Sequence, residues 1–424
     1  MSLSFQQSNT MTAFSAVLAD RKNIKNPHLG EDDQVPFRLL VLLSHPIQYF
    51  SPLFRILHKE SKISLVVWYG ERGPLRGIKD EEFGRKVDWG VDLLGGYENR
   101  FFSNFSLRRR LGTHFFGVIN PFMLVKLIRY KPDAIVIHGW AYATYVLVWI
   151  MACLLRVPVW LRTDNPWCQE RLKTGRLQKL KRYVLREIAF PSVTKFLAVG
   201  TENAEWYRQL GVTDERIQLV PHSVDHGPPT DLQNQAREIK EILGIPPNEL
   251  VFLFVGKLID KKRPGDLLRA FEGCSSGHLV FVGDGELRCT LQRLVRENQR
   301  TRVHFTGFAD QKTLHGYYSA ADVLILPSGM GETWGLVVNE ALIFGLAVIV
   351  SDLCGCAADL VEEGGNGFTF ETGNVAELRE RMEWIIANKE QLPTFSAASR
   401  RISRGFDIRR TASALIESIP RDTA

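Results

Sequence analysis

The chain has 424 residues, 45% hydrophobic and 24% charged, with a net charge of +6 at pH 7. At about 150 residues per domain that length predicts two domains with full cores. Six cysteines lie scattered with none at CxxC spacing, which excludes a disulfide framework or a zinc module and predicts a reducing, cytoplasmic setting.

Residues 1–36 are rich in Ser, Gln, Asn and charge without a sustained apolar period, and read as a flexible N-terminal leader. Order begins at Phe37, where Phe37 to Ser44 is almost continuously apolar, as a buried parallel strand must be. A helix opens after it at Pro52. Further strands are predicted at 64–69, 134–137, 157–162 and 195–199, alternating with helical stretches such as 142–155 and 178–190. Strand and helix in alternation make 37–225 a doubly wound α/β domain. The apolar run 142–155 falls short of the roughly 20 residues a membrane span requires, so it reads as a helix buried against the sheet.

Between Phe101 and Phe190 fifteen Lys and Arg stand against four acids, a local net charge of +11 that leaves the rest of the chain acidic. Within it, Leu172, Leu177, Leu180, Tyr183 and Ile188 mingle with Lys173, Arg176, Lys179, Lys181, Arg182 and Arg186, a mixture that can lie on an anionic bilayer. A phosphate-bearing substrate would also suit this patch. Nucleic acid would account for the charge, but not for the motifs further along.

Gly227-Pro228-Pro229 and the polar residues after it break the pattern, and 226–245 reads as a linker. A second α/β unit fills 246–404, with strands predicted at 250–255, 278–282, 302–305, 323–326 and 347–350. Residues 405–424 are expected to form a helix returning toward the first domain. Ligand would bind in the cleft, where the C-terminal ends of both sheets face one another.

Three segments of the second unit carry chemistry. Val255-Gly256-Lys257 to Lys262 ends a strand on glycine and delivers cations, which suit a diphosphate whose charge grows as a leaving group departs. Val282-Gly283-Asp284-Gly285 is a second strand followed by a turn that glycine makes cheaply. Pro327 to Leu342 then sets Glu332 in a Gly-rich loop and Glu340 eight residues on in an apolar helix, which would open near Trp334 or Gly335 with free N–H groups. Carboxylates grip sugar hydroxyls and backbone donors grip phosphate, so a nucleotide-activated sugar satisfies both. Cys354-Gly355-Cys356 reads as small residues lining a tight loop.

In this order the motifs resemble the donor domain of glycosyltransferase family 4, retaining enzymes of the GT-B fold, over about residues 250–380. Gly256-Lys257, Lys262, Gly283-Asp284-Gly285, Gly307-Phe308, Tyr317, Ala320, Asp322, Pro327-Ser328, the Glu332-to-Glu340 E-x7-E signature, Ser351-Asp352 with Gly355 and Asn366-Gly367-Phe368 carry it. His45-Pro46-Ile47-Gln48-Tyr49 and Val199-Gly200-Thr201-Glu202-Asn203 resemble a bacterial subgroup. Ser44-His45-Pro46 stands where the family usually has Gly-Gly.

The resemblance implies two Rossmann-like domains facing across a cleft, and a catalytic set of Glu332, His138, Lys257 and Lys262. Glu332 would bind the transferred sugar, Glu340 the ribose, and Lys257 and Lys262 the diphosphate. Gly256, Gly283, Pro327 and the N–H groups near Gly335 and Leu336 would line the nucleotide site. His45, Gln48, Arg162 and Asp164 are the acceptor-side candidates by position. No metal or cofactor is expected beyond a UDP- or GDP-linked sugar as donor, with a glycan or lipid-linked acceptor at the inner face of the cell membrane. A nucleotide-sugar epimerase and a non-catalytic glycan-binding GT-B protein are the competing readings.

Overall fold

The computed structural model describes residues 35–72, 79–80, 85–86, 92–107, 114–225, 231–298 and 301–420. Almost all of the expected leader, Arg108 to Arg110 of the basic stretch and 226–230 of the expected linker lie outside the described residues.

Seven strands form the first sheet: β1 (Phe37–Leu43), β2 (Ile63–Tyr69), β3 (Glu98–Phe101), β4 (Ala134–His138), β5 (Val159–Thr163), β6 (Lys195–Ala198) and β7 (Ile217–Leu219). They are all parallel, in the order β3-β2-β1-β4-β5-β6-β7. Six more form the second: β8 (Val251–Val255), β9 (His278–Val282), β10 (Val303–Gly307), β11 (Val323–Leu326), β12 (Ala347–Ser351) and β13 (Gly367–Phe370), in the order β10-β9-β8-β11-β12-β13. Strand order reverses between β1 and β4 in one sheet and between β8 and β11 in the other. Those two reversals open the crevices in which open α/β sheets bind ligands.

The helices are α1 (Ser51–Lys59), α2 (Pro121–Tyr130), α3 (Ala143–Leu154), α4 (Trp167–Glu170), α5 (Arg176–Val184), α6 (Thr201–Gln209), α7 (Leu232–Leu243), α8 (Pro264–Phe271), α9 (Arg288–Glu297), α10 (Gln311–Ala320), α11 (Leu336–Phe344), α12 (Ala357–Leu360), α13 (Val375–Ala387), α14 (Leu392–Gly405) and α15 (Ile408–Glu417). Each sheet has an apolar cluster on either face, because strands covered on both sides must be apolar at every position. Helix α15 places Ile408, Ala412 and Leu415 in the cluster that holds Phe37, Leu39 and Val41 of β1. Thr411 Oγ1 lies 3.1 Å from the carbonyl oxygen of Pro221, so the end of the chain is tied to the first sheet.

The segment 226–245, expected as a linker, is largely ordered helix. This is α7, which packs along α10. Leu232, Ile239 and Leu243 recur at helical spacing, and Ile239 comes so close to α10 that a Cβ on Gly316 would meet it at 3.1 Å. A polar composition hid an amphipathic period. Strands β3, β7 and β13 were also not predicted, since each is short and the first two are half-exposed.

Candidate active site

The donor-side loops are built by close backbone approach. After β8, Gly256 (φ +153°) runs against Gly283 (φ +141°) after β9, and a Cβ on Gly283 would overlap the Gly256 carbonyl oxygen. Leu258 N donates to Asp284 O at 2.9 Å, tying the two loops together. This fixes the segment that carries Lys257 and Lys262. Lys262 ion-pairs with Glu332, and the two side chains keep only 15% and 13% of their exposure. One predicted phosphate cation and the predicted sugar carboxylate are thus brought together.

Glu332 rides a loop that leaves β11 through Pro327 and turns at Gly331 (φ +98°). Helix α11 then starts at Leu336 behind Gly335 (φ +107°), where a Cβ would meet Leu326 at 2.7 Å. First-turn N–H groups of a helix lack intrahelical partners, and these open beside Glu332. Glu340 lies one turn further on and is buried. Tyr318 OH donates to its Oε2 at 2.6 Å, and Tyr49 OH from the first domain reaches its Oε1 at 3.4 Å. Burial and the adjacent carboxylate push both phenols up, so they stay protonated donors. Tyr49 and Tyr318 were missed as site residues, although Tyr49 closes the quoted His-Pro-Ile-Gln-Tyr run.

Across the cleft, β4 ends on His138, whose ring meets Phe50 edge-on at 4.9 Å. Burial, with the Arg162 charge beside it, lowers His138 to about 3, so the imidazole is neutral near pH 7. His45, 2.9 Å from Ser44 Oγ through Nδ1, is lowered by burial to about 4. His222, unnoticed in the sequence, is lowered as well, by burial first and then by Arg162 and His138. Gln48 keeps a buried Oε1 with no hydrogen-bond partner among the described residues.

Arg162, an acceptor-side candidate by position, turns inward. Its guanidinium is buried inside the first domain, Nη1 donating to Val220 O at 2.6 Å and Nη2 to Pro221 O at 3.4 Å. Burial lowers it to about 10, and it pins the segment after β7. Position at a strand end suggested a ligand, but the side chain turns back into the fold. Asp164, two residues on, does reach the cleft: Thr333 Oγ1 donates to its Oδ2 at 2.7 Å.

A residue with no sequence signal joins the halves most directly. Gln169 of α4 donates from Nε2 to Glu332 O at 2.9 Å and to Leu353 O at 2.7 Å, and its Oε1 accepts from Gly331 N at 3.0 Å. Thr201 adds bonds from its N and Oγ1 to Asp359, at 2.8 and 2.6 Å. The Cα of Gly200 faces the Trp334 ring so closely that a Cβ there would overlap it. Gly355 is equally confined, its Cα against the Thr333 carbonyl, with Cys354 and Cys356 buried on either side.

Two family descriptions match this chain, one after the other. "Glycosyltransferase Family 4" covers residues 94–227 and "Glycosyl transferases group 1" covers residues 235–402. The chain is a family 4 type glycosyltransferase. Among its relatives, the UDP-Gal:alpha-D-GlcNAc-diphosphoundecaprenol alpha-1,3-galactosyltransferase of Escherichia coli is 25% identical over 299 residues, 69% of this chain and 76% of that one. The alpha-monoglucosyldiacylglycerol synthase of Acholeplasma laidlawii is 28% identical over 193 residues, 43% of this chain and 47% of that one. In fold, the glycosyltransferase superposes on Anabaena HepE in complex with UDP with a TM-score of 0.67 at 17% identity, covering 91% of this chain and 99% of that one. WaaG, a glycosyltransferase involved in lipopolysaccharide biosynthesis, gives a TM-score of 0.59 at 16% identity, with 90% and 100% covered.

The first domain of the glycosyltransferase exposes apolar side chains on neighbouring helices. Helix α2 exposes Phe122, Val125 and Ile128, and the adjacent α3 exposes Leu147, Ile150 and Leu154. Helix α5 buries none of its residues and shows Leu177 at 81% exposure among its Lys and Arg. Among the described residues no helix is long and apolar enough to cross a membrane.

Proposed function

We propose that this glycosyltransferase is a retaining, metal-independent enzyme that moves a sugar from a UDP-sugar to a lipid-linked or glycan acceptor. The observation that carries the reading is the Lys262–Glu332 pair before the opening of α11, on the loops that follow β8 and β11 at the strand-order reversal of the second sheet. Lys262, Lys257 and the first-turn N–H groups of α11 supply positive charge to the β-phosphate as the glycosidic bond breaks. Fixed cations of this kind take the part that a divalent ion plays elsewhere. Glu332 accepts from hydroxyls of the transferred sugar. At Glu340 a ribose hydroxyl displaces the long Tyr49 contact. UDP is favoured because the Escherichia coli relative is a UDP-Gal galactosyltransferase and the Anabaena neighbour is in complex with UDP.

Retention follows from attack on the face that the phosphate leaves. The acceptor hydroxyl forms the new glycosidic bond while its proton passes to the departing phosphate oxygen, so no protein nucleophile is used. His138, neutral at working pH, offers a hydrogen bond near the donor sugar without adding charge. Acceptors carried on lipid suit the exposed faces of α2, α3 and α5, whose apolar side chains and cations would seat the enzyme on the inner face of an anionic membrane.

Thermal-shift screening of UDP- and GDP-sugars tests the donor, because a bound ligand raises the unfolding midpoint by mass action. Incubation of the stabilising donor with lipid-linked and soluble acceptors, with the product's anomeric configuration read by NMR, tests transfer and retention. An inverted product, or donor turnover to an epimer without acceptor, would overturn the proposal. For the membrane, flotation should show salt-sensitive binding to vesicles containing phosphatidylglycerol, and equal recovery with neutral vesicles would count against it.

A further inference from the structure

Gln169 belongs to the acceptor-side domain yet makes all its side-chain bonds to backbone of the donor-side domain. It is 2% exposed. A carboxamide is a neutral group that offers donors and an acceptor together, and all three of these bonds are used: to Glu332 O, to Leu353 O and from Gly331 N. We infer that Gln169 is a positioning residue for transfer, one that makes the placement of Glu332 depend on the docking of the two domains.

The loop needs such a tie. Gly329 and Gly331 flank Met330 immediately before Glu332, and a glycine-flanked segment has many backbone states to lose. Lys262 holds the carboxylate of Glu332, while its backbone is held by Gln169 from the other domain and, within its own, by Gly355 N at 3.3 Å and by a turn in which Glu332 N donates to Gly329 O at 3.2 Å and Gly329 N to Lys261 O at 2.8 Å. Gln169 is itself anchored on its own side. Cys168 N donates to Glu202 at the start of α6 at 2.5 Å, and Asn165 donates to Glu170 Oε1 at 3.1 Å, which fixes the short helix α4. Asp164, accepting from Thr333, adds a bond on the other side of Glu332. When the domains part, the three Gln169 bonds break together, and Glu332 keeps only the ties of its own domain, to Lys262, Gly355 N and Gly329 O. Donor binding through Lys257 and Lys262 lies on the second domain alone and does not need the Gln169 bonds. Domain docking therefore completes the placement of the sugar-binding carboxylate separately from nucleotide binding, a division by which closure can commit a substrate.

This rests on the reading of Glu332 as the sugar-binding group, and the test separates the two. Gln169→Met keeps the side-chain volume and removes all three bonds; Gln169→Glu keeps the acceptor for Gly331 N and turns a charge on two carbonyls. Turnover is measured with UDP-glucose and UDP-galactose, and UDP affinity by calorimetry. Both variants should lose kcat by about a hundredfold, the scale of a 1 Å misplacement, with UDP affinity unchanged. Gln169→Met combined with Glu332→Gln should be no slower than Glu332→Gln alone, since a residue acting through another adds nothing once that one is gone. A full rate in either folded Gln169 variant, or effects that multiply in the double variant, overturns the inference. A slow Glu332→Gln with a full-rate Gln169→Met sinks the inference alone, whereas a full-rate Glu332→Gln sinks the Glu332 reading and this inference with it.

Discussion

Replacing Glu332 by Gln removes one charge and almost no volume from the centre of the site. In the folded chain that carboxylate faces Lys262, with the two side chains 13% and 15% exposed. A hydrogen bond to a charged group is worth about 1.5–3 kcal/mol. At about 1.4 kcal/mol per decade, losing one such bond to a sugar hydroxyl lowers kcat/KM roughly 10- to 150-fold. UDP affinity should not fall with it, because Lys262 keeps its charge and no longer shares it with Glu332. The pair is neither fully exposed, where its loss would cost up to about 1 kcal/mol, nor sealed, where breaking it would cost about 3–5 kcal/mol. The unfolding midpoint therefore drops by an intermediate amount and is followed in parallel. Steady-state transfer and calorimetric titration with UDP, on the same preparation, read both quantities. Normal turnover, or a loss of UDP affinity as large as the loss of rate, would refute the reasoning.

Lys262→Ala should weaken UDP binding about tenfold or more, as the loss of one charge-assisted contact to phosphate implies; calorimetry showing unaltered affinity would remove the phosphate role. Gly283→Ala has nowhere to put its Cβ, which would overlap the Gly256 carbonyl, and its φ of +141° disfavours any side chain. It should cost about 2 kcal/mol or more by urea unfolding, and a midpoint at the wild-type value would contradict the packing of these loops. Stability should also depend on pH through the buried histidines. His45 and His138 bind protons at about 4 and about 3 when folded, against 6.5 for the free side chain. The unfolded chain thus holds more protons between those values, and stability present above pH 6.5 is lost progressively as pH falls toward 3. His138→Gln should flatten that slope, and parallel curves for the two proteins would show that His138 is not buried neutral.

The strand-and-helix alternation, the glycine turns and the position of α11 behind Gly335 were legible because each is a local property: apolar runs, positive-φ glycines and helix starts are written within a few residues. Helix α7 was misread for the opposite reason, since its Leu and Ile face α10 and are outnumbered by polar side chains. For Arg162 the strand end gives the address of a residue but not the direction of its side chain, which turns inward to Val220 and Pro221. Nothing local marks His222, Tyr318 or Gln169, whose importance lies in partners 22 to 184 residues away in the chain.

By itself the amino-acid sequence determined the two α/β domains and the glycine turns, because backbone conformation and burial period are encoded locally, while the order of its motifs carried the family resemblance. Only the tertiary structure decided which groups meet: Lys262 with Glu332, Tyr49 and Tyr318 with Glu340, and Gln169 with the loop that carries Glu332. Those contacts join chain segments that no period or spacing relates. They exist because the two domains meet through the segments that follow the C-terminal ends of their inner strands, where open α/β sheets leave a ligand crevice.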